Sequence, residues 1–185
     1  MEQKALRKTL WEEAGKAGLV LGAVSSAYIF ITQFLAEAEM PAIATMLLST
    51  VLWTAKFGGC IWLMMYFMKK FAKQNPDIQN NNIYRFGLAV SLLSALVYSA
   101  VTLANTVFIS ADSINEQMNI VIEQMAPVMD SNARNQMDDI IAKLPQITFF
   151  SNFFYCIIYG SVLSFILSRN IPDKNPFADN KTEEW

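Results

Sequence analysis

Three stretches of this chain carry no charged side chain at all: residues 17–36, 86–111 and 144–168, which are 20, 26 and 25 residues long. Crossing the ~30 Å hydrocarbon core of a bilayer takes about 20 residues of helix. Inside that core a lone segment satisfies its backbone groups only as a helix, so each stretch reads as a membrane-spanning helix. The composition agrees, with 54% hydrophobic residues, 16% charged residues and a mean hydropathy of +0.28, more apolar than an ordinary soluble domain. A net charge of -2 and a pI near 5.2 argue against nucleic acid as a partner. The absence of histidine removes the commonest general base and metal ligand.

A fourth span is needed for Met40 to Met68, a stretch broken only by Lys56. The pieces on either side of that lysine are too short to cross alone, so span 2 carries the lysine into the membrane. The expected spans are about 17–36, 43–68, 86–111 and 146–168, within a single membrane domain covering 1–185. The fold class is all-α: an integral membrane four-helix bundle, with an outer amphipathic helical insert between spans 3 and 4.

Direction follows from positive charge, which is retained on the cytoplasmic side near span ends. Lys4, Arg7, Lys8 and Lys16 precede span 1, Lys69, Lys70, Lys73 and Arg85 join spans 2 and 3, and Arg169, Lys174 and Lys181 follow span 4. Only Arg134 and Lys143 fall on the other side. Both tails, 1–16 and 169–185, are therefore expected in the cytoplasm of a bacterium, with the acidic 112–145 segment outside its inner membrane. A cleaved signal peptide ending at Ala36-Glu37-Ala38 is the competing reading, but its apolar run is longer than the usual 7–15 residues.

The turn Glu37 to Ala42 is short and contains Pro41, so spans 1 and 2 form an antiparallel hairpin. Ala14, Gly18, Gly22 and Ser26 recur every fourth residue on span 1, a small-residue ridge that lets another helix approach closely. Its partner is expected to be span 2 or 4 of the same chain, or span 1 of a second copy in a homo-oligomer. The outer segment is organised as a collar over 113–144. Ser113 and Glu116 form a capping box, and Ile114, Met118, Val121, Met125 and Met129 give the helix one apolar face. Pro127 should end or kink it. A second piece carries Met137, Ile140, Ile141 and Leu144 and should stop at Pro145 before span 4. The collar reads either as a lid or as an interfacial hairpin without a ligand role.

Lys56 is the most informative residue, because an ionisable group inside a span is costly unless paired or wetted. It should lie about 10 Å inside the outer boundary and lean outward toward Glu37 and Glu39. Polar groups at matching depth are Gln33 on span 1, Thr102 and Asn105 on span 3, and Asn152 and Tyr155 on span 4. Ser91, Ser94 and Tyr98 share the same face of span 3, and Tyr159 follows on span 4. Together they suggest an outward-opening polar pocket for an anionic or carbonyl-bearing group such as a lipid phosphate. A snorkelling lysine and a register-fixing hydrogen-bond network are the alternatives.

Cys60 and Cys156 lie in apolar stretches and read as small hydrophobes, with no second cysteine or histidine near in sequence to form a metal site. No nucleophile elbow, phosphate-binding loop, zinc-protease motif or dinucleotide fingerprint occurs, and no cofactor is expected. Asp138 and Asp139 read as solvated acids rather than a cation site. A channel filter would need rings of carbonyls or charges that one such chain lacks.

The basic N-terminal tail, Gly15, Gly18 and Gly22 in span 1, the short acidic turn, the basic inner connection and the long outer insert before the last span form a recognisable set. Over about residues 5–170 it resembles a family of small bacterial inner-membrane proteins known as domain of unknown function 4199. The resemblance implies a four-helix inner-membrane protein and, as partner, a polyprenyl-phosphate glycosyltransferase; it assigns no functional residue. The function expected first is a non-enzymatic accessory or anchoring subunit, whose basic faces at 1–16 and 69–85 meet anionic membrane lipids or a protein partner. The second is a lipid-binding or small-molecule-binding, transporter-like protein that uses Lys56.

Overall fold

A computed structural model describes residues 2–38, 41–75, 78–125 and 131–171. Five α-helices follow in order: α1 Glu2–Glu37, α2 Ala42–Gln74, α3 Asn80–Ala104, α4 Ala111–Met125 and α5 Ser131–Arg169, with a π-turn Asn105–Ile109 between α3 and α4. There is no strand among the described residues. Four segments, Arg7–Leu35, Ile43–Gln74, Asn80–Ile109 and Asp139–Arg169, are long and apolar enough to cross a membrane. Lys56 lies inside the second, as the chain's charge distribution required.

Close contacts fix the helix directions. Gly18 of α1 approaches Val90 and Leu93 of α3, and Gly22 approaches Ser94 and Val97, so α1 and α3 run parallel. Ser25 and Cys60 are in contact at 3.4 Å, and Tyr28 meets Lys56, so α2 returns antiparallel to α1. Gly87 meets Ser164, and Gly160 meets Ser91, so α5 is antiparallel to α3. The central helix is α3, packed most extensively against α5 and α1, while α2 leans chiefly on α1 and touches α5 sparsely.

The small-residue ridge of α1 therefore packs on α3, which is neither of the neighbours expected for it nor a second copy. A Cβ at Gly18 or Gly22 would sit 2.7 Å from Leu93 Cβ or Val97 Cβ, so only glycine lets these backbones approach so closely. A matching device joins α3 to α5. Gly87 and Ser91 are one turn apart, as are Gly160 and Ser164, and each glycine receives the other helix's serine. Each serine hydroxyl donates to the glycine carbonyl one turn back, at 2.8 and 2.6 Å. Both hydroxyls are thus satisfied within their own helices and add no unpaired polar group to the seam.

These directions bring Arg7, Lys8, Lys16, Lys69, Lys70, Lys73, Arg85 and Arg169 toward one end. The apolar core lies near that end too: Leu10, Met64, Met68, Phe71, Ile83, Phe86 and Leu167 are buried, with the Phe71 and Phe86 rings stacked at 4.2 Å. Asn75 closes α2 there, its backbone and side-chain N–H groups both donating to Phe71 O. Toward the other end Ile43, Met46, Leu47 and Val51 of α2 are left exposed. In a bilayer acyl chains would cover this surface.

The basic N-terminal segment is helical from Glu2 and continuous with the rest of α1. At two other places the structure differs from what the sequence suggests. Ser113 lies inside α4 and caps nothing, because the π-turn passes straight into that helix through Ser110, whose carbonyl accepts from Ile114 N–H. Pro145 does not separate the second collar piece from span 4, since α5 runs through it for 39 residues. A proline within a helix forfeits one backbone bond and clashes with the preceding turn; here the helical residues on both sides carry the axis across it. Pro127 and Met129 lie outside the described residues.

Candidate functional site

Lys56 projects from α2 into a crevice of about 130 Å³ walled by α1, α2, α3 and α5. Its Nζ lies over two ring faces, 4.6 Å from the centroid of Tyr28 on α1 and 4.8 Å from that of Tyr98 on α3. A desolvated cation over a ring gains about 2 kcal/mol, and placing a lysine at the centre of a span is disfavoured by roughly 2.5–3.5 kcal/mol. Two such rings, about 4 kcal/mol together, therefore suffice to offset the penalty without neutralising the charge. Among the described residues the only ion pairs are Lys8–Glu12 and Lys16–Glu13, so no carboxylate compensates Lys56 there.

The Nζ of Lys56 is held at the level of Tyr28. Tyr28 lies nine residues short of Glu37, about 13 Å along the helix, and the Glu37 side chain is outside the described ones, as is Glu39. The rest of the expected set divides. Asn152 and Tyr155 line the crevice with Lys56, as do Ser91, Ser94, Tyr98 and Tyr159. Asn152 donates to Thr148 O at 2.9 Å. Thr102 does not reach the crevice; its hydroxyl donates to Tyr98 O at 2.8 Å.

Gln33 and Asn105 belong to a separate cluster at the far end of α1 and α3. Gln33 Nε2 and Asn105 Nδ2 both donate to Ser110 Oγ, at 2.8 and 3.2 Å, tying α1 to the π-turn where α4 departs. Asn105 is 6% exposed, and its Oδ1 has no hydrogen-bond partner among the described residues. Changing Ser110 to alanine should leave both amide donors unpaired, at a cost of about 1–3 kcal/mol. Hydrogen exchange should then accelerate selectively in α4; unchanged α4 protection would contradict this anchoring role.

Gly18, Gly22 and Ser26 stand apart from the crevice in the α1–α3 seam, with Ser26 Oγ donating to Gly22 O at 2.8 Å. The two cysteines, remote in sequence, come together in the crevice wall on α2 and α5, where Cys60 Sγ contacts Ser25 Oγ. No group of three or more His, Cys, Asp or Glu side chains that could hold a metal occurs among the described residues.

Tyr28 is the site residue that sequence reasoning missed. It stands nine residues before the end of α1 and Lys56 fourteen after the start of α2, so symmetry about the short turn would pair Tyr28 with position 51, and the register that brings it to Lys56 was not available from the turn alone.

Of the neighbouring walls, α2 and α5 are the most sparsely packed against each other. Phe57 and Tyr159 meet edge to face across that gap at 5.6 Å. Tyr155 at its rim is 60% exposed, as is Trp53 nearby at 54%. Residues 16–169 match the model of a family described as "Protein of unknown function (DUF4199)". No curated protein and no solved structure matches the chain.

Proposed function

We propose that this chain, which belongs to the DUF4199 family, is a non-enzymatic four-helix membrane protein that draws an anionic lipid headgroup sideways into the Lys56 crevice. The observation that carries this is the ammonium held between Tyr28 and Tyr98 with its charge left over. An anion entering the crevice would gain a charge-assisted hydrogen bond in a poorly hydrated setting, where such bonds are strongest. Asn152, Tyr155 and Tyr159 supply neutral hydrogen-bonding groups around it. A lipid headgroup would enter between α2 and α5, the sparsely packed side, by displacing the Phe57–Tyr159 contact, while its tails remain in the membrane.

In this reading the protein spans a bacterial inner membrane with both termini in the cytoplasm, following the distribution of positive charge. Its collar, α4 and the start of α5, lies in the outer interface. That position suits α4, in which no residue is buried against the protein and Ile120, Val121 and Met125 are exposed.

Native mass spectrometry of the protein, gently extracted from its own membrane, tests the proposal. In a chain carrying Arg7→Gln and Arg85→Gln, so that these exposed arginines outside the crevice do not contribute, an anionic lipid should be retained and then reduced about tenfold or more on adding Lys56→Met, as expected for loss of a hydrogen bond to a charged group. Equal lipid retention by both forms would overturn it. A stoichiometric second protein without bound lipid, lost when Lys69, Lys70 and Lys73 are neutralised, would instead favour the accessory-subunit reading and its glycosyltransferase partner.

A further inference from the structure

A second groove lies at the basic end of the molecule, on the outward side of the α1–α3 seam, away from the Lys56 crevice. Its volume is about 580 Å³, and Arg7 and Trp11 of α1 face Asn82 and Arg85 of α3 across a floor formed by Leu10 and Ala89. Both arginines are exposed, and neither takes part in an ion pair among the described residues. Two unneutralised guanidiniums on either side of one groove match a phosphate, which their planar forks bind through paired hydrogen bonds. Trp11, 45% exposed and one turn from Arg7, has the amphipathic ring favoured at a membrane–water interface.

The groove continues as an apolar track. Leu88 and Leu92 line it, and Leu96 follows at the same spacing of four on α3; Leu92 and Leu96 are exposed. A soluble anion would use only the arginines, whereas a lipid would use the arginines and the leucines together. The charge also selects among lipids, because a choline headgroup brings a cation that two guanidiniums repel.

We infer that this groove binds the phosphate of an anionic phospholipid between Arg7 and Arg85, with acyl chain running along Leu88, Leu92 and Leu96. It would hold a lipid of the leaflet at the basic end, independently of any ligand at Lys56.

The test is titration of delipidated protein with phosphatidylglycerol and with phosphatidylcholine, read by native mass spectrometry. It is run on the wild-type chain and on Lys56→Met, so that the crevice does not contribute in the second. Phosphatidylglycerol should bind in preference, and Arg7→Gln with Arg85→Gln should weaken it by about thirtyfold, the effect of two positive charges at a membrane surface. Arg7→Lys with Arg85→Lys, which keeps the charge, should retain part of the preference. Three results would each overturn the assignment: an undiminished preference in the glutamine variant, an equal loss on neutralising Lys69, Lys70 and Lys73, or displacement of the lipid by equimolar inorganic phosphate. Because the arginines are exposed, their replacement leaves the fold intact, which circular dichroism of each variant checks.

Discussion

Replacing Gly160 with leucine is expected to separate α5 from α3 and to destabilise the protein by about 3 kcal/mol or more, at the upper end of overpacking effects. A Cβ at position 160 would overlap Ser91 Oγ and Cβ, and the Ser91 backbone stands just behind them. Because the overlap includes Ser91 Cβ, no rotamer change of that serine relieves it, and its hydroxyl is already bound to Gly87 O. The reciprocal position behaves alike: a Cβ at Gly87 would come within 2.8 Å of Ser164 Oγ and 3.2 Å of Met68 Cε. Gly15 provides the control, because nothing lies within 4 Å of a Cβ there. Gly15→Ala should be neutral or stabilising, by up to about 1 kcal/mol from helix propensity. Thermal unfolding of the two variants in one detergent reads the contrast. Equal behaviour of Gly160→Leu and Gly15→Ala would show that the α3–α5 seam is not packed as described.

The second large effect is expected at the aromatic cage. Removing both rings, as Tyr28→Leu with Tyr98→Leu, leaves the Lys56 charge in an apolar crevice without the faces that offset it. The expected loss is about 2 kcal/mol for each ring, although neighbouring sites of this kind are not strictly additive. Comparison with the same double change in a Lys56→Met background isolates the cation's share. There the rings have no charge to hold, and the loss should shrink to that of packing alone. An identical loss in both backgrounds would mean that Tyr28 and Tyr98 serve only as filler. The cage is also what separates Lys56 from a lysine that snorkels: its Nζ is held between two helices instead of extending to the membrane surface.

The spans were legible in the sequence because charge is excluded from hydrocarbon, and the α1–α2 hairpin because its turn is too short for anything else. Which face of each span turns inward was much less legible. Lipid tails are as apolar as leucine, so Leu21, buried, and Leu19, 61% exposed, look alike along the chain. Small residues are the better guide, and the Gly-x-x-x-Ser pairs at 87–91 and 160–164 carry the α3–α5 seam as clearly as the ridge on α1 carries its own. The central place of α3 could not be read from α1 alone, since a ridge of small residues names no partner. Grouping Thr102, Asn105 and Gln33 with Lys56 failed on depth and rotation: Thr102 turns back on its own helix, and the amides of the other two converge on Ser110 instead. Cys60 and Cys156 met in one crevice because α2 and α5 do, a proximity that spacing along the chain does not report.

The proposed function requires that the uncompensated charge of Lys56 select an anion from the bilayer. The most direct measurement is the affinity of the protein, in phosphatidylcholine nanodiscs, for a long-chain alkyl phosphate and for the alkyl phosphocholine of equal chain length. It is made in the Arg7→Gln, Arg85→Gln background so that the basic-end groove is silent. The alkyl phosphate should bind about tenfold more tightly or better, and Lys56→Met should abolish that difference while the helix content stays the same. A preference for phosphate that survives Lys56→Met would contradict it.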